Sequence, residues 1–268
     1  MWKGETKPTE KPHFGQTAKS YAEYRLGFPA SMYARLAVEG LLKAGMAHVD
    51  VGTGTGALAR STTMMGLQSI GLDIDADMLA AARKLAADTG LTTEFIEGSA
   101  ENTGFDDASQ DLVTAGQCWH WFDRAKAATE AHRILKPGGH LIICHYDWMA
   151  FGGNMVEVTE DLILKYAPNW KAKRGNGLYP LWLRDMAEAG FVGIQSFSYD
   201  EPAIYSHEGW VHRIEASAGI AVLDADTREA FKTELTTMLK ANFPEAPLVT
   251  PHRVFCCWGM KTTGVDSH

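Results

Sequence analysis

Cysteine is scarce and has no pattern. The four are Cys118, Cys144, Cys256 and Cys257; two are adjacent and none forms C-x-x-C. That spacing argues against a disulfide framework or a zinc cluster, and it suits a reducing compartment. Long apolar runs are also missing: no stretch approaches the roughly 20 residues that span a bilayer. The opening MWKGETKPTEKPHFG lacks the apolar run of a secretion signal, so a cytoplasmic protein is expected. There is no dense Lys/Arg cluster, and 25 basic residues face 33 acidic ones for a net charge of −8. A nucleic-acid partner is therefore not expected, because such proteins need a basic field to displace counterions. None of the ten histidines shows H-x-x-x-H pairing with a carboxylate, so no metal site is expected.

What is present is a chain of 268 residues, 46% hydrophobic, with alternating element types. A loose arm runs to about residue 15, followed by a short helix that brings Tyr21, Tyr24 and Arg25 together. Pro29 sits where a proline starts a helix, and Tyr33, Leu36, Ala37, Gly40 and Leu41 continue that helix until Gly45. Strands are expected at 48–51, 68–72, 93–97, 111–115 and 140–145. Helices at 57–65 and around 78–86 separate the first three, and one capped by Asp123 precedes the fifth strand; Lys136-Pro137-Gly138-Gly139 breaks it. Strands alternating with helices pair in parallel through right-handed crossovers, which is a doubly wound α/β fold. Beyond residue 148, a helix at 179–189, a strand at 192–199, helices at 207–221 and 227–242, and a last strand at 253–260 are expected. The helical pair between the last two strands has the position of a lid.

In such a fold ligands bind outside the carboxyl ends of the strands. The first strand runs into Gly52-Thr53-Gly54-Thr55-Gly56, where glycines let the backbone turn tightly and approach a ligand. Read as G-x-G-x-x-[GA], Gly52, Gly54 and Ala57 also satisfy a dinucleotide fingerprint, with Asp73 placed to accept from a ribose. Asp50 favours a cofactor with a cationic end, since a carboxylate before the loop would oppose a pyrophosphate. Asp75 is better placed than Asp73 to cap the next helix. Ser99, Ala100 and Glu101 end the third strand, and a side chain there can flank an adenine. Gln117, Cys118, Trp119, His120, Trp121 and Phe122 end the fourth; aromatic faces there can stabilise a cation, or simply fill the core. His145, Tyr146 and Asp147 close the fifth.

At these residues the chain resembles the class I S-adenosylmethionine (SAM)-dependent methyltransferases, most of all the subgroup with the ubiquinone/menaquinone-biosynthesis and trans-aconitate methyltransferases. The resemblance rests on VDVGTGTGALA at 49–59, GLDIDADML at 71–79, GSAENTGF at 98–105, DLVTAGQCWHWFD at 111–123 and RILKPGG at 133–139. The arm TAKSYAEYRLGFP at 17–29 resembles the segment that closes over the cofactor. The resemblance implies a Rossmann-like, mostly parallel seven-stranded sheet in one domain: arm 1–30, SAM-binding core 31–148, substrate lid 149–252 and last strand 253–261.

It further implies that Asp50, Gly52, Thr53, Gly54 and Gly56 meet the methionine moiety and Asp73 the ribose. Ile74 would pack on adenine, and Ser99, Ala100 and Glu101 would line its edge. Gln117, Cys118 and His120 would border the reacting end, and Tyr21 and Arg25 the methionine carboxylate. S-adenosylhomocysteine is the implied product. The Asn-Pro-Pro-Tyr motif of base-methylating enzymes is replaced by Gln117-Cys118-Trp119-His120, which points to a small-molecule acceptor. If the nucleophile carries a proton that must leave, His120, His145 and Tyr146 are the candidate bases. Two rivals stay open: an NAD(P)-dependent oxidoreductase and a SAM-binding protein without turnover.

Overall fold

The structure is a computed structural model that describes residues 27–217 and 219–262. Nine strands are present among them: β1 (Ala47–Val51), β2 (Gln68–Asp73), β3 (Glu94–Glu97), β4 (Gln110–Gly116), β5 (Leu135–Trp148), β6 (Val192–Asp200), β7 (Ala203–Tyr205), β8 (Leu248–Thr250) and β9 (His252–Met260). Seven form one sheet in the order β3-β2-β1-β4-β5-β9-β6, and β7 pairs with β8 in a separate ribbon. Strands β1 to β5 pair in parallel, while β9 runs antiparallel between β5 and β6. This is the expected Rossmann-like, mostly parallel sheet. The strand order reverses between β1 and β4, which opens a crevice at their carboxyl ends.

The helices are α1 (Ala30–Val38), α2 (Ala57–Met64), α3 (Ala76–Asp88), α4 (Arg124–Ile134), α5 (Met155–Tyr166), α6 (Pro180–Glu188), α7 (His207–Glu215) and α8 (Ala225–Asn242). Side-chain alternation splits the sheet into two faces. Leu112, Ile142, Cys144 and Tyr146 join α1, α5, α7 and α8 through Met32, Leu36, Val156, Ile163, Trp210, Phe231 and Leu235. Val113, Leu141, Ile143 and Cys257 join α4 and α6 through Ala127, Ala131, Ile134, Trp182 and Met186. Each fully buried aliphatic side chain contributes about 1.5–3 kcal/mol. No helix among the described residues is long and apolar enough to cross a membrane.

Several boundaries differ from expectation. Helix α1 stops at Val38, well before Gly45, because Gly40 takes φ +77° and the Leu41 N–H reaches back 3.0 Å to the Leu36 carbonyl. Strand β5 begins at Leu135: that residue pairs with Gln110, and the Pro-Gly-Gly turn shows as a register shift before Leu112 pairs with His140. The first of the late helices ends at Glu215, six residues early. Helix α5 and the β7–β8 ribbon were not foreseen. Helix α5 carries a legible start signal, however: Asn154 accepts from the Glu157 N–H at 2.9 Å, and the Glu157 carboxylate takes the Gly153 N–H at 2.6 Å.

Helix α4 is fastened to the crevice by two carboxylates. Glu101 accepts from the Asp123 N–H at 2.8 Å at its start. The buried Glu130 accepts from the Thr103 N–H at 2.8 Å, its hydroxyl at 2.6 Å, and Arg133 at 2.8 Å. Arg133 holds the Glu130 carboxyl down to about 2, against burial, with Thr103 assisting. Glu130→Gln should lower stability by about 2 kcal/mol, the scale of hydrogen bonds to a charged group. A carboxyl depressed by folding stabilises above its unfolded pKa. This contribution should therefore fade as pH falls from about 4 towards about 2. Urea unfolding reads both effects; an unchanged midpoint at neutral pH contradicts the assignment.

Candidate cofactor and substrate site

Asp50 lies under the glycine loop, 2% exposed, with no cation bonded to it among the described residues. Its oxygens accept from the Thr53 hydroxyl at 2.6 Å and the Thr114 hydroxyl at 2.7 Å. Burial pushes the carboxyl up to about 6, and the two hydroxyls pull the other way. Thr114 also meets His48 Nε2 at 2.9 Å. Because the Thr114 proton goes to Asp50, Nε2 must carry the histidine proton and Nδ1 must accept, from Ser69 at 3.0 Å or Thr62 at 3.1 Å. Burial pulls the His48 pKa down to about 3, so this chain of hydrogen bonds holds a neutral imidazole.

Above Asp50 the three loop glycines take φ of +65°, +55° and +77°. Their surroundings differ. A Cβ on Gly52 would meet Phe122 Cζ at 2.7 Å and Cys118 Sγ at 2.9 Å, and one on Gly56 would meet Phe95 at 2.6 Å. A Cβ on Gly54 would meet only the end of Met78, at 3.6 Å. Two glycines are thus required by packing, while the third leaves its side open.

Asp73 ends β2 beside this loop. It accepts from the Gly54 N–H at 2.8 Å and the Asp75 N–H at 3.0 Å, and each oxygen keeps a lone pair. Burial pushes its pKa up, against these two hydrogen bonds. Asp75 takes the capping role, accepting from Asp77 and Met78 of α3. Next to Asp73, Ile74 is 56% exposed, an apolar surface at the strand end. Ala100 is buried, and Ser99 donates to Glu101. An open glycine backbone, a carboxylate with spare acceptors and an apolar side chain on adjacent strand ends fit an aminoacyl nucleoside.

Strand β4 closes the crevice through a strained turn. Gln117 sits at φ +58°, unusual for a residue with a side chain. It is held by its N–H on the Cys144 carbonyl at 2.9 Å and its amide on the Tyr146 carbonyl at 2.8 Å. Cys118 Sγ lies 3.2 Å from the Val51 carbonyl. Trp119 is fully buried and donates to Asp185 at 3.0 Å, so this tryptophan is packing.

Of the three candidate bases, the structure brings two together. The His120 and His145 rings lie 5.3 Å apart. Tyr146 points to the opposite face, as alternation along β5 requires, and its hydroxyl donates to the Glu201 carbonyl at 3.0 Å. Burial raises its pKa further. His145 instead meets Asp147, on its own face of the strand, with Nδ1 at 3.1 Å from one carboxylate oxygen. Tyr179, just before α6, donates to the other oxygen at 2.5 Å. In the sequence, Asp147 is signalled by the H-x-D spacing, which puts both side chains on one face of the strand, whereas no local pattern links Tyr179 to them. Tyr21 and Arg25 lie outside the described residues. Among the described residues no group of His, Cys, Asp and Glu is placed to hold a metal ion.

Gly52→Ala should cost about 1–2 kcal/mol from its left-handed backbone alone, and more from the clash with Phe122 and Cys118. Thermal unfolding checks it; a variant as stable as the parent would show that the loop is not packed this way.

The chain's likenesses agree with this geometry. The family model described as a methyltransferase domain matches residues 49–143. A demethylmenaquinone methyltransferase of Chlorobaculum tepidum is 42% identical over 156 residues, 57% of this chain and 54% of that protein. An uncharacterized methyltransferase of Mycobacterium tuberculosis is 35% identical over 129 residues, 48% of this chain and 49% of the relative. The chain thus spans about half the length of the curated relatives it matches. In fold it is similar to a Haemonchus contortus phosphoethanolamine N-methyltransferase solved with S-adenosyl-L-methionine, with a TM-score of 0.55 at 18% identity, covering 92% of this chain and 57% of that one. The glycine loop, Asp50 and Asp73 all lie inside residues 49–143, the segment that matches the methyltransferase domain.

Proposed function

We propose that the chain as a whole transfers a methyl group from SAM to a small-molecule acceptor, with release of S-adenosylhomocysteine. The observation that carries this reading is the open Gly54 backbone between two aspartates, the buried Asp50 below it and the half-buried Asp73 beside it. Gly52, Thr53, Gly54 and Gly56 would follow the methionine moiety. Asp73 would accept from the ribose diol, and Ile74 would cover one face of the adenine with Ser99, Ala100 and Glu101 along its edge. Gln117, Cys118 and His120 would border the reacting end.

When bound, the cofactor supplies a methyl carbon already activated by a sulfonium. The protein's part is alignment and exclusion of water. Asp50 has both oxygens engaged by hydroxyls, so it would act on the methionine ammonium through its field and by holding the loop. Helices α5, α7 and α8, packed on one face of the sheet, would form the substrate lid of a single domain. The acidic net charge supports a metabolite over a nucleic acid.

Isothermal titration with SAM and S-adenosylhomocysteine tests the reading: micromolar binding is expected, and heat with NADH but not with SAM would replace it with an oxidoreductase. Asp73→Asn, which keeps an acceptor for Gly54, should weaken binding by about tenfold, and Asp73→Ala by up to about a hundredfold. Unchanged affinity in both would remove the ribose contact. Binding should also depend on pH. Asp50 titrates at about 6 in the free protein, and a cationic ligand favours its ionised form. Affinity should therefore be full at pH 7.5 and fall as pH drops through 6, by at most about tenfold per unit. A flat profile to pH 5 would deny Asp50 this role.

A further inference from the structure

His145 and Asp147 point to the same face of β5, towards α6. An ionised carboxylate can only accept a hydrogen bond, so the contacts of 3.1 and 3.2 Å to Asp147 place the imidazole proton on Nδ1. Asp147 is ionised throughout the neutral range: burial alone would raise its carboxyl, but the neighbouring His145 and the Tyr179 hydroxyl hold it down to about 2. Tyr179 is fixed in turn by stacking flat on Trp182, with centroids 3.9 Å apart and planes at 8°. In the neutral imidazole this leaves His145 Nε2 with a bare lone pair. It is buried and has no hydrogen-bond partner, on a residue only 4% exposed. A buried polar atom without a partner costs about 1–3 kcal/mol; of the five such side-chain atoms among the described residues, His145 Nε2 is the one that belongs to a histidine beside the crevice, where a catalytic role accounts for it. The titratable groups around it are Asp147 on β5, His120 in the turn after β4 and Tyr179 before α6; Trp182 and Phe255 complete the wall.

We infer that His145 is the base of this site, that Asp147 is the residue that positions it, and that the methyl acceptor is a hydroxyl group, the one among carboxylate, amine, thiol and hydroxyl that needs a base. This rests on the methyl-transfer reading. A carboxylate acceptor attacks an activated methyl group without losing a proton. A neutral amine attacks through its lone pair and sheds its proton afterwards, and a thiol ionises near neutral pH unaided. A hydroxyl needs its proton removed as it attacks. The hydroxyl oxygen forms its bond to the methyl carbon as the carbon–sulfur bond breaks and its electron pair returns to sulfur. The hydroxyl proton passes to Nε2. The imidazolium so formed is paired with Asp147 and releases the proton to water.

Two measurements test this together. In 15N-labelled protein at pH 8, long-range proton–nitrogen spectra should show His145 protonated on Nδ1 and bare on Nε2. With tritium-labelled methyl SAM, phenol, benzoate and aniline serve as probe acceptors on one common ring, and label should enter phenol. His145→Gln should cut that transfer by at least about a hundredfold while the Kd for SAM stays within about twofold. Asp147→Asn, at a more exposed position, serves if the first variant does not fold; it should lower kcat at least tenfold with little change in the probe's KM. A proton on Nε2 in the parent protein, label in benzoate alone, or parental rates in these variants would each overturn the inference. If no probe takes label, the proton position still decides: Nδ1 supports the pair and Nε2 refutes it. Absence of SAM binding by calorimetry would instead remove the methyl-transfer reading, and it leaves the proton's position as measured.

Discussion

A carboxylate buried without a counter-ion is costly unless hydroxyls or N–H groups solvate it. Asp50 meets that condition through Thr53 from the loop above and Thr114 from the neighbouring strand. Through Thr114 and the neutral His48, the same chain of hydrogen bonds reaches Ser69 on β2 and Thr62 on α2. The three central strands and the helix after the glycine loop are therefore tied at one buried point, directly beneath the crevice. The shape of the loop, the reach of Asp73 to Gly54 and the closeness of Gly52 to Phe122 all follow from that anchorage.

The crevice divides by strand. The ends of β1, β2 and β3 carry glycine, carboxylate and apolar surface. The ends of β4 and β5 carry the aromatic and histidine groups. Gln117 stands at the join, with its strained backbone held by two hydrogen bonds to β5. Alternation along β5 then sorts its last residues: His145 and Asp147 go to the α6 side and Tyr146 to the core under α7. Adjacent residues within a strand point to opposite faces of the sheet. This is why Tyr146 is separated from the two histidines.

Most of the fold was legible because its signals are local. Glycines after a short apolar strand, Asp75 as a cap and the period of the α3 face each depend on residues close in sequence, and the strands between them came out within a residue or two. Boundaries failed where tertiary contacts decide them. Gly40 ended α1 because Leu41 could bury itself and close the helix end, whereas Gly45 is simply a later turn. Helix α5 was overlooked despite its Asn154–Glu157 box, because its apolar face is matched to α8, far away in sequence. The three-residue strands β7 and β8 exist through pairing across about 45 residues, which no local pattern announces. At the site, the aspartates and glycines were readable from their order. Tyr179 was not, since only the fold brings it to Asp147.

The central claim is that the 52–56 backbone cradles an aminoacyl nucleoside between Asp50 and Asp73. A crystal structure of the protein grown with S-adenosylhomocysteine tests it most directly. The account predicts the homocysteine portion along Gly52 to Gly56, the ribose hydroxyls within hydrogen-bond distance of Asp73, the adenine against Ile74, and the sulfur towards the turn that holds His120. A nucleoside bound elsewhere, with Asp73 still bonded only to Gly54 and Asp75, would contradict it.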